Sequence, residues 1–359
     1  MDFETFKENL AKDVKETLES RTGGDISVDN RTVDKMNETY EALTVKPGDS
    51  IIGVNLNATA LYKEFENGTS YDDVVKGAAD LAERALDNKP AFDIAAFSDY
   101  EQMKGTLAME VVSAEKNAEI LETVPHKDME DMAVVYRFVL GDTDQGSGTI
   151  LVTNQMLDNY GVTPEQLHED AVKNAPEIRP LVIQGMGEVL AKQMGVEDLE
   201  MLGLNIPPEQ EQMFVASVEG NVHGAGVLAY QDFMDKASER VNGDFFILPS
   251  SIHEVLIIPD NGNFDLKSLE NMVKEVNATT VDPADQLTDN VYHYDSKEKI
   301  FELGEKFVER QAAREAKEAE AGDKKSLLGE LKSAKEQASK QPANKAVEAV
   351  TKSKGDATL

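Results

Sequence analysis

Between Phe245 and Gly262 the chain reads FFILPSSIHEVLIIPDNG, two apolar runs closing on a short polar centre. Phe245 to Leu248 favours a strand and stops at Pro249, which cannot donate to a sheet ladder; Val255 to Ile258 resumes strand-forming residues before Pro259. Two short strands joined by a polar turn follow, and strands this apolar need a sheet to lie in and a core to lie on. The turn carries Ser250, Ser251, His253 and Glu254. Ser251 and Glu254 have the S-x-x-E spacing of a capping box, which predicts a single helical turn between the strands. The same four residues are the candidate catalytic set, with His253 as base and Ser250 or Ser251 as nucleophile. A triad also needs a group to orient the histidine, and the sequence does not show that partner. His253-Glu254 is no zinc motif, because H-E-x-x-H requires a second histidine where Ile257 stands.

These residues resemble the signature of a family of unknown function that is frequent in anaerobic Gram-positive bacteria and often encoded in mobile elements. LPSSIHEV is joined in that resemblance by Val276-Asn277-Ala278-Thr279 and by the closing stretch from Leu287 to Tyr294. Thr149 to Asn154 leading into Tyr160 to Leu167 is similar to the family's central strand-helix unit, and Leu61-Tyr62 through Phe65 to Gly68 to its N-terminal one. Residues 20–50 and 88–105 show no clear match. The resemblance implies no activity, because the family has none to carry over.

A chain of 359 residues with 40% hydrophobic content can bury one large core or two smaller ones, and its mean hydropathy is -0.42. It has no cysteine, which excludes disulfides, thiolate nucleophiles, zinc ribbons and iron-sulfur clusters and fits a reducing cytoplasm. The N-terminus lacks the basic flank and apolar run of a signal peptide, and no stretch approaches the roughly 18 apolar residues of a membrane helix. The expected location is cytoplasmic, away from membranes. The formal charge is -32, while residues 305–359 hold 12 basic and 10 acidic residues, so the acid excess sits before residue 305. Such a body repels phosphate backbones and argues against direct nucleic-acid binding. It is either a solvated surface or a mimic of DNA charge that captures a basic partner.

Strand and helix patterns alternate along the chain. Phe3, Phe6, Leu10, Val14 and Leu18 predict an opening amphipathic helix ending near Gly23-Gly24. Strands are expected at Ile26, Tyr40 to Val45 and Ile51 to Leu56. Ser70 and Asp73 cap a helix with Val74, Ala78, Leu81 and Ala85 inward. Leu107 to Val112, Met132 to Leu140 and Ile150 to Thr153 read as strands, and Pro164 to Asn174 and Ile183 to Met194 as helices. Met213 to Val218 and Val222 to Ala229 read as a hairpin across Glu219-Gly220-Asn221. A helix with Leu266, Leu269, Val273 and Val276 inward follows the signature strands.

Other motifs carry less chemistry. Gly220, Gly224 and Gly226 fit neither G-x-G-x-x-G nor the Walker A spacing, so no cofactor fingerprint is present. The turn with Asp142 and Asp144 lacks the later glutamate of a calcium loop. The five histidines, His126, His168, His223, His253 and His293, are scattered, and no metal ligand set is assigned. His126 with Asp128, Glu130 and Asp131 is the one other cluster weighed for a metal. Beyond Phe307 no aromatic residue occurs, and VERQAAREAKEAEA suits a solvated helix.

The expectation is therefore an α/β protein of mixed α+β type, with mixed or antiparallel sheets flanked by helices over residues 1–304. It forms one body or two lobes, 1–95 and 96–304, followed by a charged low-complexity tail, 305–359, that is helical or disordered. The function expected is non-enzymatic binding or regulation in the cytoplasm through a protein partner, in the service of a mobile element if the resemblance extends that far. The alternatives are a hydrolase centred on Ser250, Ser251, His253 and Glu254, and an acidic DNA mimic.

Overall fold

The computed structural model describes residues 1–48, 50, 53–87, 96–143, 146–195 and 211–339. Asp144, the start of the expected strand at Ile51-Ile52 and the chain past Ser339 lie outside them. By proximity of its backbone the chain divides into two units, Met1–Gly304 and Glu305–Leu359.

The first unit is α/β, with three antiparallel sheets. Its N-terminal part opens with α1 (Phe3–Thr22), which Asp2 caps by accepting the Thr5 amide and which Gly23 ends in the left-handed region at φ 66. Strands β1 (Ile26–Lys35), β2 (Glu38–Pro47) and β3 (Val54–Asn57) form the first sheet in that order. Helices α2 (Ala58–Glu66) and α3 (Tyr71–Asp87) complete this part. Phe6, Leu10, Val14 and Leu18 pack with Leu43, Val45, Leu56, Val74 and Ala78, as the apolar spacing predicts. The buried face of α3 differs from the expected one at Leu81 and Ala85. It runs through Val74, Ala78, Ala79 and Ala82, while Leu81 stays 45% exposed, because small residues let α3 lie close against α1.

The second sheet joins β4 (Leu107–Ser113), β5 (His126–Met129), β6 (Met132–Thr143) and β7 (Gly146–Leu151), with β6 pairing the other three. Two short helices, α4 (Tyr100–Met103) and α5 (Ala118–Leu121), flank β4 in sequence, and α6 (Asn154–Tyr160) and α7 (Pro164–Ile178) follow β7. The third sheet has six strands in the order β13-β12-β10-β11-β9-β8: β8 (Leu181–Gly185), β9 (Phe214–Val218), β10 (Phe245–Leu248), β11 (Val255–Pro259), β12 (Tyr292–Asp295) and β13 (Ile300–Leu303). Helices α8 (Met186–Gln193), α9 (Phe233–Val241) and α10 (Leu266–Thr279) connect its strands. One large core, from Tyr100 to Tyr294, joins the second and third sheets. The last helix, α11 (Gly304–Ser339), runs through the second unit.

Two expected elements change. Ile183 belongs to β8, with the helix starting only at Met186, because Leu181 to Gly185 pairs along β9. The expected hairpin partner Val222 to Ala229 is instead a 3-10 turn over Gly224–Ala229. Packing decides it: a Cβ on Gly224 would overlap Ser217 Oγ and the His253 carbonyl, and one on Gly226 would overlap the Met109 carbonyl. Only glycine lets this segment coil against β4, β9 and the signature turn.

Candidate functional site

β10 and β11 pair antiparallel, Phe246 opposite Ile258 and Leu248 opposite Leu256, so the signature turn hangs from the middle of the third sheet. No helical turn forms in it. Ser251 is buried and accepts the His253 amide at 3.0 Å, two residues on, while its backbone bridges Gln286. The capping box at Ser251 and Glu254 is thus replaced by a serine turn, because pairing with residues 285–287 holds the chain extended: Ile252 donates to the Asp285 carbonyl and Leu287 to the Ser250 carbonyl.

His253 is oriented from two sides. Its Nδ1 accepts the His223 amide at 3.4 Å, and its Nε2 faces Asp285 Oδ1 at 3.4 Å. Its own carbonyl accepts the Ser217 hydroxyl at 2.7 Å. Asp285 is the orienting group that the sequence does not reveal, and it lies 32 residues downstream. Glu254 beside it is half-buried, and burial raises its pKa, with the Asp285 charge adding to the rise and His253 opposing it.

The 3-10 turn carries His223 against this histidine, the two rings 5.7 Å apart. His223 sits in the left-handed region at φ 53, a conformation that costs a side chain energy and that the surrounding packing must hold. Below it lies Glu110, 1% exposed in the middle of β4. Its Oε2 accepts Arg137 Nε at 2.5 Å and faces His223 Nδ1 at 3.8 Å, and its Oε1 accepts Arg179 Nη1 at 3.3 Å. The register explains the first pairing: Arg137 stands opposite Ala108 on β6, diagonally across from Glu110 on the same face. Arg179 closes the end of α7, fixed by Tyr230, whose hydroxyl donates to the Arg179 carbonyl at 2.7 Å.

Burial pushes the Glu110 carboxyl upward, but the charges of Arg137, His223 and Arg179 outweigh it and leave the pKa below the ordinary range. His223 is shifted the other way for a base: burial lowers it, Glu110 opposes, and Arg137, Arg179 and His253 lower it further. The imidazolium form of His223 is thus disfavoured where the ring sits above one carboxylate and two guanidiniums.

Of the residues singled out in the sequence, Ser251 and His253 meet, but as hydroxyl to amide. Ser250 is half-buried and contributes its carbonyl to the Leu287 amide. Glu110, Arg137, Arg179 and Asp285 are additions from the structure, and His223 gains its place at the centre only there. Two of them had a signal: Glu110 interrupts LAMEVV and Arg137 interrupts MAVVYRFVL, opposite charges inside apolar strands. The His126 cluster does not gather at one point. His126 Nε2 lies 3.8 Å from Asp128, whereas Asp131 accepts from Thr288 at 2.7 Å, Asn290 at 2.9 Å and the Tyr292 hydroxyl. Among the described residues no group of three or more His, Asp or Glu is placed to hold a metal ion.

The segments that build this centre lie within one family's span. The profile of the family of unknown function DUF5688 matches residues 3–296. The chain belongs to that family. No curated protein matches the chain, and no solved structure does. The DUF5688 span runs from the start of α1 through the end of β12, and so takes in both the N-terminal sheet and every residue of the centre. Among the described residues no helix is long and apolar enough to cross a membrane.

Proposed function

We propose that this protein is a non-enzymatic binding protein of the cytoplasm, with its site where the signature turn meets the 220–226 loop over Glu110. One observation carries the reading. Nδ1 of His253 accepts the His223 amide and Nε2 faces Asp285 at 3.4 Å, while the Ser251 hydroxyl is buried and accepts the His253 amide rather than donating to the ring. A general base needs a free nitrogen within reach of the hydroxyl it deprotonates, and a nucleophile needs an exposed hydroxyl. What the arrangement offers instead is a rigid polar surface, with two imidazoles at the rim and fixed charges beneath. The cysteine-free composition supports the compartment.

A fluorophosphonate probe tests the reading directly. Serine hydrolases form a covalent adduct on the activated serine, so incubation followed by peptide mass spectrometry should find Ser250 and Ser251 unmodified. An adduct on either, lost in His253→Gln, overturns the binding reading in favour of hydrolysis.

A further inference from the structure

Among the described residues the buried charge around Glu110 does not balance. Both oxygens of one carboxylate are shared between two guanidiniums, whose side chains are 17% exposed for Arg137 and 8% for Arg179. Arg179 Nη2 is buried and has no hydrogen-bond partner among the described residues. A buried donor without a partner costs on the order of 1–3 kcal/mol, and more when it is charged. With the imidazolium form of His223 disfavoured, the described residues of the centre carry one positive charge in excess, inside a chain whose formal charge is -32. An acidic chain has carboxylates enough to have supplied a second partner here.

We propose that the centre binds an oxyanion, a carboxylate or phosphate group, held by Arg179 and Arg137 with His223 and His253 at its rim. The inference rests on the binding reading and names the ligand class of that site. A guanidinium presents paired N–H groups in a plane that suits two oxygens of one carboxylate or phosphate. The histidine side of the centre faces solvent, with the His223 and His253 side chains 30% and 34% exposed. An oxygen reaching Arg179 Nη2 fills its unused donor, and the ligand's charge cancels the excess. The same charge favours the imidazolium form of His223, whose ring faces Glu110, Arg137, Arg179 and His253, with Asp285 and Glu254 beyond His253. Binding therefore takes up a proton and tightens as pH falls.

The test titrates the full-length protein with inorganic phosphate and, separately, with succinate, following the heat and the imidazole Cε1–H resonances of His223 and His253. The expected result is saturable binding of one of them that moves both resonances, weakens about tenfold in Arg179→Lys, and is stronger at about pH 6 than at about pH 8. Which of the two binds separates a phosphate from a carboxylate source. Should Arg179→Lys fail to fold, His223→Gln carries the test, because it keeps a polar rim and should flatten the pH dependence. A response linear in concentration and equal in the variant means an adventitious ion only and overturns the proposal. So does saturable binding that leaves both resonances in place, or no binding of either compound. With Ser250 and Ser251 unlabelled by fluorophosphonate, those results sink the oxyanion alone, whereas labelling sinks the binding reading beneath it.

Discussion

In the N-terminal part, Phe6 meets Tyr62 and Phe65 with ring centroids 5.1 and 5.5 Å apart, and the first sheet and its helices close on side chains of one chemical kind. Around Glu110, an equally buried position is filled by a carboxylate, with two guanidiniums and an imidazole against it. Apolar packing gains with every buried methylene and tolerates small changes of shape. A buried ion cluster gives little net stability and becomes costly when one member is lost, so its presence needs a reason other than holding the fold together. The difference teaches where to look for function: at the buried residues that stability alone would not choose.

The comparison breaks first on charge. Phe6→Ala and Glu110→Gln should each cost about 3–5 kcal/mol, the one by leaving a cavity and the other by stranding two buried guanidiniums. They separate with pH. Because the folded pKa of Glu110 is depressed, its contribution is fully present above the ordinary value of 4.5 and is lost as pH falls below 4.5 through the folded value. The gap between wild type and Glu110→Gln, read from urea midpoints, should therefore close in acid, while the Phe6→Ala gap should not. A pH-independent gap for Glu110→Gln would mean that the carboxylate is not ionised in the fold.

Glycine sharpens the contrast with a change of sign. Gly77 lies exposed within α3 with nothing near where a Cβ would go, so Gly77→Ala should stabilise by about 0.4–1 kcal/mol through helix propensity and unfolded-state entropy. Gly224→Ala should destabilise by about 1–3 kcal/mol, since its Cβ must displace backbone at His253. It should also shift the His253 imidazole resonance. Equal effects at the two positions would show that the 220–226 loop is not packed as tightly as its geometry implies.

The two regions also touch at the β1–β2 turn, where Met36 packs against the cluster that holds Val112 and Val135 and Asn37 hydrogen-bonds across. Asn37, at the β1–β2 turn with φ 63, donates its side-chain amide to the Ala284 and Gln286 carbonyls at 2.9 and 3.1 Å and exchanges hydrogen bonds with Asn117. Those carbonyls flank Asp285, so the N-terminal hairpin steadies the loop that orients His253. Asn37→Ala should cost about 1–2 kcal/mol in hydrogen bonds and move the His253 resonance without touching it. A silent His253 would uncouple the regions.

Legibility followed the same division. The helix from Phe3 and the strands Phe245 to Leu248 and Val255 to Ile258 were readable because periodicity and proline punctuation are local. Val222 to Ala229 reads as a hairpin arm in sequence but coils as a 3-10 turn, because its conformation is decided by packing on β4, β9 and the signature turn rather than by its own residues. His253 and Ser251 were legible as polar residues between strands, but their roles depend on His223 and Asp285, which no spacing rule connects to them. Glu110 and Arg137 left a trace, since opposite charges inside apolar strands ask to be paired, yet only the register of β4 and β6 says with whom.

The smallest effect is expected from removing a third region altogether. The second unit, Glu305–Leu359, includes most of the 36-residue helix α11, rich in Ala, Glu, Lys and Gln, with Val308 and Leu331 49% and 66% exposed. A helix of such residues draws its stability from propensity and from pairs along its own surface, terms that are local and do not require a core. Deleting residues 310–359 should then leave the thermal midpoint of the remaining chain within a few degrees, the scale of roughly 1 kcal/mol or less. The prediction bears on the comparison because it asks whether both the apolar N-terminal core and the charged centre stand without the tail. A loss matching that of Phe6→Ala would assign the tail to the apolar core. A shift confined to the His223 and His253 resonances would show that the tail bears on the site rather than on the apolar core.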